Sequence, residues 1–298
     1  MQNRIEYFFY RLLAELVRHL PLRFVQHLGN ALGSFVFYCL PIRKKVTLNN
    51  LRLAFPEKTE EERLRIAHAS YKNLLCSLLE GLWSVQLTQD IIGRTVTLEN
   101  ADVLERVLAE NKGIIVIGGH YGSWEMMAFA VPFFARRLFT IIAQRQRNPY
   151  VDKYVTDIRT HLGSKIVVME RAPREVLRVL REKGGVILLA DQSGAQDGLF
   201  VKFFGHYAST HKGPAIFSVR TGAPMLMAYL HRNANGSFSI ECDALDTSGI
   251  TGTDEEKVRA FTELHVDALE RQIRKHPERW LWMHKRWKHP YRTTEAAV

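Results

Sequence analysis

Between Ile5 and Leu20 the apolar residues Phe8, Phe9, Leu12, Leu13, Leu16 and Val17 recur at helical spacing, with Arg11, Glu15 and Arg18 gathered on the remaining side. That pattern predicts an amphipathic helix with a wide apolar face. From Phe24 to Pro41 no Lys, Arg, Asp or Glu occurs, and the run FVFYCLP ends just ahead of Arg43, Lys44 and Lys45. Its length is at the lower limit for crossing a bilayer, and Gln26, His27, Asn30 and Ser34 dilute its hydrophobicity. Three readings stay open: a span, a segment lying in the membrane interface between aromatic and basic residues, or ordinary helices docked on a core. Gly29 and Gly33, four apart, permit close helix packing.

The pattern then changes. Thr59 followed by Glu62 reads as a capping box, and Leu64, Ala67, Tyr71, Leu74, Leu78 and Leu82 mark one face of a long helix. Beyond it, nearly continuous apolar runs alternate with helical ones. GIIVIGG (113–119), FTIIA (139–143), KIVV (165–168), GVILLAD (185–191) and MLMAYLH (225–231) predict strands. Helical patterns begin near Trp124, Tyr150, Pro173 and Lys212, and a final helix runs from about Asp254 to Lys275. SFSIEC (237–242) alternates like an edge strand, and the terminal TTEAAV reads as frayed. The expected fold class is α/β, with a mixed, largely parallel sheet covered by helices. An N-terminal membrane-associated helical segment, residues 1–45, precedes a single larger domain, residues 46–298.

Composition narrows the class of protein. The 298 residues are 46% apolar and 24% charged, which excludes a disordered chain and a polytopic membrane protein. Forty-one basic residues against 31 acidic leave a net charge of +10, which favours anionic partners: nucleic acid, acidic headgroups or an acidic carrier protein. Cys39, Cys76 and Cys242 are scattered and odd in number, as expected of reduced thiols facing the cytosol. No cleavable signal peptide is evident.

Candidate chemistry concentrates in GIIVIGGHYGSWEMMA. His120 follows an apolar strand directly, at the carboxyl edge where ligands gather in open α/β sheets. Glu125 falls in the first turn of the next helix, from where it is expected to reach back to one imidazole nitrogen. A carboxylate so placed sets the tautomer and stabilises the imidazolium formed when histidine takes a proton. Gly118, Gly119 and Gly122 allow a tight turn and close substrate approach. A hydroxyl activated in this way can attack a thioester without covalent catalysis. The plainer reading is a loop histidine followed by a glutamate favoured by the helix dipole. No G-x-S-x-G, H-E-x-x-H or G-x-G-x-x-G occurs, which argues against a serine hydrolase, a zinc hydrolase and a dinucleotide enzyme.

The HYGSWE segment resembles the His-x4-Asp/Glu signature of glycerolipid-type acyltransferases, and its aromatic and Trp positions resemble the late (lauroyl and myristoyl) acyltransferases of bacterial lipid A biosynthesis. NNLRLAFPEKTEEE (49–62), Gln144-Arg145 with NPYVDKYVTDIR (148–159), LLADQSG (188–194), FFG (203–205) with Thr210 and Lys212-Gly213-Pro214, and PERWLWMHKRWK (277–288) continue the likeness in order. Gln144 departs from the usual Tyr. The resemblance implies that residues 46–298 form an acyltransferase domain, with His120 as general base and Glu125 as its partner. Arg145 and Arg159 match basic positions suited to an anionic phosphate or the developing oxyanion. Asp191 ends a strand at the same sheet edge, where it orients an arginine, forms part of the substrate-binding site or only makes a turn; Lys212 and Arg220 are further substrate-binding candidates.

The resemblance further implies an acyl carrier protein thioester, or acyl-CoA, as donor and a hydroxyl of a phosphorylated lipid A precursor as acceptor. It implies no metal, no organic cofactor and no nucleic-acid partner. The cytoplasmic face of the inner membrane is the expected location, with peripheral or monotopic attachment or a single N-terminal anchor. Phe203 and Phe204 are expected in the core or an acyl groove. Trp280, Trp282 and Trp287 are expected to pack inward while Lys285, Arg286 and Lys288 meet membrane phosphates. The alternatives are acylation of another glycolipid, such as a mannosylated phosphoinositide, or a non-enzymatic basic protein that binds membrane or nucleic acid.

Overall fold

Four helices come first: α1 (Gln2–Arg18), α2 (Leu22–Cys39), α3 (Lys44–Ala54) and α4 (Glu60–Trp83). These belong to a computed structural model that describes residues 1–40 and 42–291; the TTEAAV segment lies outside the described residues. Pro21 separates the first two helices, and the capping box at Thr59 and Glu62 opens the fourth. The alternating part follows as α5 (Gln89–Thr95), β1 (Val96–Leu98), α6 (Ala101–Ala109), β2 (Ile114–Gly118), α7 (Trp124–Ala135), β3 (Phe139–Ala143), α8 (Pro149–Thr160), β4 (Lys165–Val168), α9 (Ala172–Arg181) and β5 (Gly185–Leu189). A two-stranded hairpin, β6 (Leu199–Phe203) with β7 (His206–Thr210), leads to α10 (Gly213–Thr221), β8 (Met225–Arg232), β9 (Phe238–Ala244) and α11 (Asp254–Lys275).

Seven strands form one sheet in the order β1-β9-β8-β2-β5-β3-β4, parallel throughout except for β8 against β9. The uninterrupted apolar runs follow from burial on both faces. Ile115 and Ile117 enter one core with α9, α10 and α11, while Ile114 and Val116 enter the other with α6 and α7. SFSIEC is not the edge, because the three-residue β1 pairs outside β9. β1 and the β6–β7 hairpin have no counterpart among the predicted strands.

α4 gives Ala67 and Tyr71 to one core and Leu79, Leu82 and Trp83 to the other, so it passes across the end of the sheet. α2 lies directly on α4. A Cβ on Gly29 would sit 2.6 Å from the Cys76 Cα, and one on Gly33 would strike the Lys72 backbone, so only glycine allows this approach. Val25, Gln26 and Phe37 are buried on the same side. Among the described residues no helix is long and apolar enough to cross a membrane, which removes a spanning N-terminal anchor formed by these helices. The outward surfaces remain apolar: Phe8, Phe9 and Leu16 of α1 are each about 60% exposed, and Phe24, Phe35 and Tyr38 of α2 are exposed as well.

Candidate active site

The pairing of β2 with β5 builds the centre of the site. Their parallel register sets Gly118 opposite Leu189. Two residues further on, past the strand ends, the same register sets His120 opposite Asp191. The imidazole Nδ1 lies 2.8 Å from Asp191 Oδ1, and the His120 backbone N–H donates to Asp191 Oδ2 at 2.8 Å. Trp280 Nε1 donates to Oδ2 at 2.9 Å. Because a carboxylate only accepts, Nδ1 carries the proton and Nε2 is left as the basic nitrogen. Burial by itself would raise the Asp191 pKa, but His120 and these donors hold it at about 2. Burial likewise pulls His120 down, and the charges of Asp191 and then Glu125 more than offset it, leaving its pKa raised.

Glu125 does not reach the imidazole as expected. It stands in the first turn of α7, and Arg159 of α8 takes its carboxylate in a two-pronged pair, Nε to Oε2 at 2.9 Å and the terminal nitrogen to Oε1 at 2.6 Å. Burial opposes the charge on Glu125, yet the Arg159 guanidinium leaves its pKa lowered, and Arg159 is raised in turn. Two of five guanidinium donors are used, so three remain for a substrate. Gly81 on α4 makes the room, its position lying 3.1 Å from the Glu125 Cγ for any added Cβ.

A cavity of about 400 Å³ opens beside the histidine, lined by His120, Glu125 and Arg159 and, below them, by apolar Met127, Ala128, Ile141 and Ile187. Gln192 also lines it, its side-chain nitrogen 3.4 Å from His120 Nε2. Of the other sequence candidates, Arg145 is exposed and lines a separate hollow with Val168 and Glu170. Lys212 is exposed at the N-terminus of α10, where His211 and not Lys212 lines the cavity. Arg220 lies in the last turn of α10, which leads back to the start of β8, so eight residues of helix carry it about 12 Å away from Lys212 toward the opposite sheet edge.

The loop from His120 to Ser123 is held on every side. Gly122 has φ +58°, and its N–H donates to the Arg279 carbonyl at 2.8 Å. The Ser77 hydroxyl donates to the Gly122 carbonyl. Ser123 Oγ donates to the fully buried Glu80 at 2.7 Å, and the same carboxylate accepts from Gln26 and Arg232. A buried carboxylate is tolerated because these donors and the Arg232 charge satisfy it. Sequence reasoning missed Glu80, Arg232, Gln192 and Trp280. Only the last two lie in segments that carried a signal, LLADQSG and PERWLWMHKRWK.

In the tail, Arg286 departs from expectation. Trp280 and Trp282 pack inward against each other with ring centroids 4.7 Å apart, and Phe203 and Phe204 join them in the core. Arg286 does not face outward: it is buried, donating to the Ser209 carbonyl and, at 2.6 Å, to Thr210 Oγ1. Burial lowers its pKa to about 10. His284, lowered to about 4 by burial, accepts from the Ser193 N–H at 3.0 Å and so steadies the turn after Asp191.

Known sequences resemble this chain over most of its length. A profile described as bacterial lipid A biosynthesis acyltransferase matches residues 2–289. The lipid A biosynthesis palmitoleoyltransferase of Escherichia coli (strain K12) is 25% identical over 275 residues, 90% of this chain and 86% of that protein. The lauroyltransferase of the same organism is 25% identical over 283 residues, 92% of this chain and 88% of that protein. A phosphatidylinositol mannoside acyltransferase of Mycobacterium tuberculosis (strain ATCC 25618 / H37Rv) is 30% identical over 193 residues, 62% of this chain and 58% of its own.

Proposed function

The chain belongs to the bacterial lipid A biosynthesis acyltransferase family, and from that premise we propose that it esterifies a hydroxyl of a lipid A precursor with an acyl group drawn from an acyl carrier protein thioester. The observation that carries this reading is the His120–Asp191 pair at the rim of a cavity whose depth is apolar. The acceptor hydroxyl gives its proton to His120 Nε2 as its oxygen attacks the thioester carbon; Asp191 holds the imidazole and balances the imidazolium. The tetrahedral intermediate collapses with loss of the carrier thiolate, which takes the proton back. The free donors of Arg159, held in place by Glu125, stabilise the oxyanion or grip an acceptor phosphate. Glu125 is thus a positioning residue rather than the partner of the base.

Purified protein, acyl carrier protein thioester and a phosphorylated glucosamine lipid should yield a product heavier by one acyl group in the mass spectrum. An unchanged acceptor with every donor, acyl-CoA included, would remove the lipid A reading. The mannoside acyltransferase relative makes a mannosylated phosphoinositide the second acceptor to test.

The protein works at the cytoplasmic face of the inner membrane in this proposal, with residues 1–45 as the membrane-facing layer of the 46–298 acyltransferase domain. The support is the exposed apolar surface of α1 and α2 beside a net charge of +10. In flotation with anionic vesicles, high salt should release only part of the protein, because screening leaves apolar insertion intact. Phe8→Ser with Phe9→Ser and Leu16→Ser should make that release nearly complete. Full release of the unaltered protein by salt alone would show that these side chains stay out of lipid.

A further inference from the structure

α1 carries two stripes. Phe8, Phe9, Leu12 and Leu16 are exposed. On another side Asn3, Glu6, Tyr7, Tyr10 and Arg11 recur at the three- and four-residue steps that align side chains along a helix. All five meet residues 147–154, the turn before α8 and its first half. The Arg147 guanidinium donates to Glu6 at 2.9 Å, and the Asn148 amide donates to the Asn3 carbonyl at 2.8 Å. Tyr7 packs against Tyr150 and Tyr10 against Tyr154, with ring centroids 5.7 and 5.9 Å apart. Arg11 lies over the Tyr154 ring, 4.7 Å from its centre, and donates to its hydroxyl at 3.0 Å. The buried residues of α1, Ala14 and Val17, both lie toward its far end, so its first half is seated mainly by this seam.

Beneath the seam a cavity of about 210 Å³ lies between α1, α4 and α8, with Tyr10, Leu82, Val155 and Ile158 in its wall. Glu125, Gln146 and Arg159 line both this cavity and the one at His120. The ion pair is therefore a partition, with His120 on one side of it and Tyr10 on the other. Burial, and then the Glu125 charge, pushes the Tyr10 hydroxyl up to about 12 while Arg159 opposes, so a neutral ring stands within the field of both partners. Water entering on that side would weaken the pair and solvate the guanidinium, since attraction between charges falls as the surrounding dielectric rises.

We infer that Tyr10 is a positioning residue for acyl transfer: seated on α8, α1 lays this ring across the far side of the Glu125–Arg159 pair and so keeps the free guanidinium donors aimed into the His120 cavity. This rests on the acyltransferase reading above, in which those donors meet the oxyanion or an acceptor phosphate. The ring, not the hydroxyl, carries the effect. One helix thus turns an apolar surface outward and closes the site inward, and the site is complete only while α1 is seated.

The test measures transfer from a dodecanoyl carrier protein thioester to a phosphorylated glucosamine lipid by the wild type, Tyr10→Phe, Tyr10→Ala, and Arg159→Lys with and without Tyr10→Ala. Thermal unfolding checks that each is folded. Tyr10→Ala should lower transfer about 10–10²-fold, the scale of a misplaced active-site group, while Tyr10→Phe stays within about twofold of wild type. Lysine keeps the charge of Arg159 but not its two-pronged hold on Glu125, so little positioning is left to lose. In that background Tyr10→Ala should cost about twofold or less, the non-additivity expected of residues that act through one another. A second readout needs no residual activity: phenylglyoxal, followed by peptide mass spectrometry, should label Arg159 faster in Tyr10→Ala than in wild type or Tyr10→Phe. Wild-type transfer in folded Tyr10→Ala, a Tyr10→Phe as poor as Tyr10→Ala, an equal fold loss in both backgrounds, or unchanged labelling of Arg159 overturns the proposal. Should Tyr10→Ala not fold, Tyr10→Leu is judged by the same outcomes. Wild-type protein that acylates no acceptor from either carrier protein or coenzyme A thioesters would instead overturn the acyltransferase reading itself.

Discussion

Replacing Asp191 with asparagine is expected to lower acyl transfer by about 10²–10⁴-fold, although the two side chains have nearly the same shape. Asp191 accepts three hydrogen bonds, from the His120 backbone, His120 Nδ1 and Trp280 Nε1. An asparagine has one accepting oxygen and an amide that must donate. With its oxygen kept on the His120 and Trp280 N–H groups, the amide faces Nδ1, and the imidazole proton moves to Nε2. That nitrogen then points a proton, not a lone pair, at the acceptor hydroxyl. The pH dependence gives a second readout. The base works only when neutral, so kcat/KM in the wild type should rise with pH through the raised pKa of His120. Without the Asp191 charge that pKa falls, and the rising limb should move to lower pH. A variant with wild-type kcat/KM and an unmoved limb would show that Asp191 does not act on the imidazole.

His120→Ala should remove the base outright, with no rising limb and a loss of about 10²–10⁴-fold above the raised pKa of His120 that shrinks at lower pH, where the wild-type imidazole is itself protonated. The fold should survive. His120 keeps about a fifth of its side-chain surface exposed (22%), and its removal leaves Asp191 two donors, the residue 120 backbone N–H and Trp280. The buried carboxylate is not orphaned, which is the usual source of large destabilisation. Urea unfolding and steady-state transfer on the same preparation separate the two effects. Undiminished turnover in the folded variant would end the general-base assignment.

How far the sequence foretells this site depends on the range of each interaction. The strands were legible because two-sided burial demands unbroken apolar runs, and His120 and Asp191 were both visible as polar residues just past such runs. Their partnership was also latent: aligning Ile114 with Gly185 brings 120 over 191. Spacing along the chain instead suggested Glu125, five residues away, because short separations are all that a motif can show. The competing demand came from Arg159, 34 residues on, which has no signal in the spacing. Arg286 was misjudged for a related reason. Alternation with tryptophans looks like a solvated basic face, and only the hairpin carbonyl at Ser209 and the Thr210 hydroxyl explain a buried guanidinium. β1 spans three residues, too few for any period to register.

The dependence of the site on residues 279–286 also imposes an order on its making. Trp280 completes the Asp191 acceptors, the Leu281 N–H closes on the His120 carbonyl, and the Arg279 carbonyl receives the Gly122 N–H. The Trp280–Asp191 contact reaches back across 89 residues, and a ribosome adding about 5–20 residues per second needs on the order of 5–20 s to cover that distance. During that interval the histidine and its carboxylate already exist on neighbouring strands but lack one wall. A nascent chain lacking residues 279–281 therefore has an incomplete site, and the wall closes as one late event rather than growing with the chain.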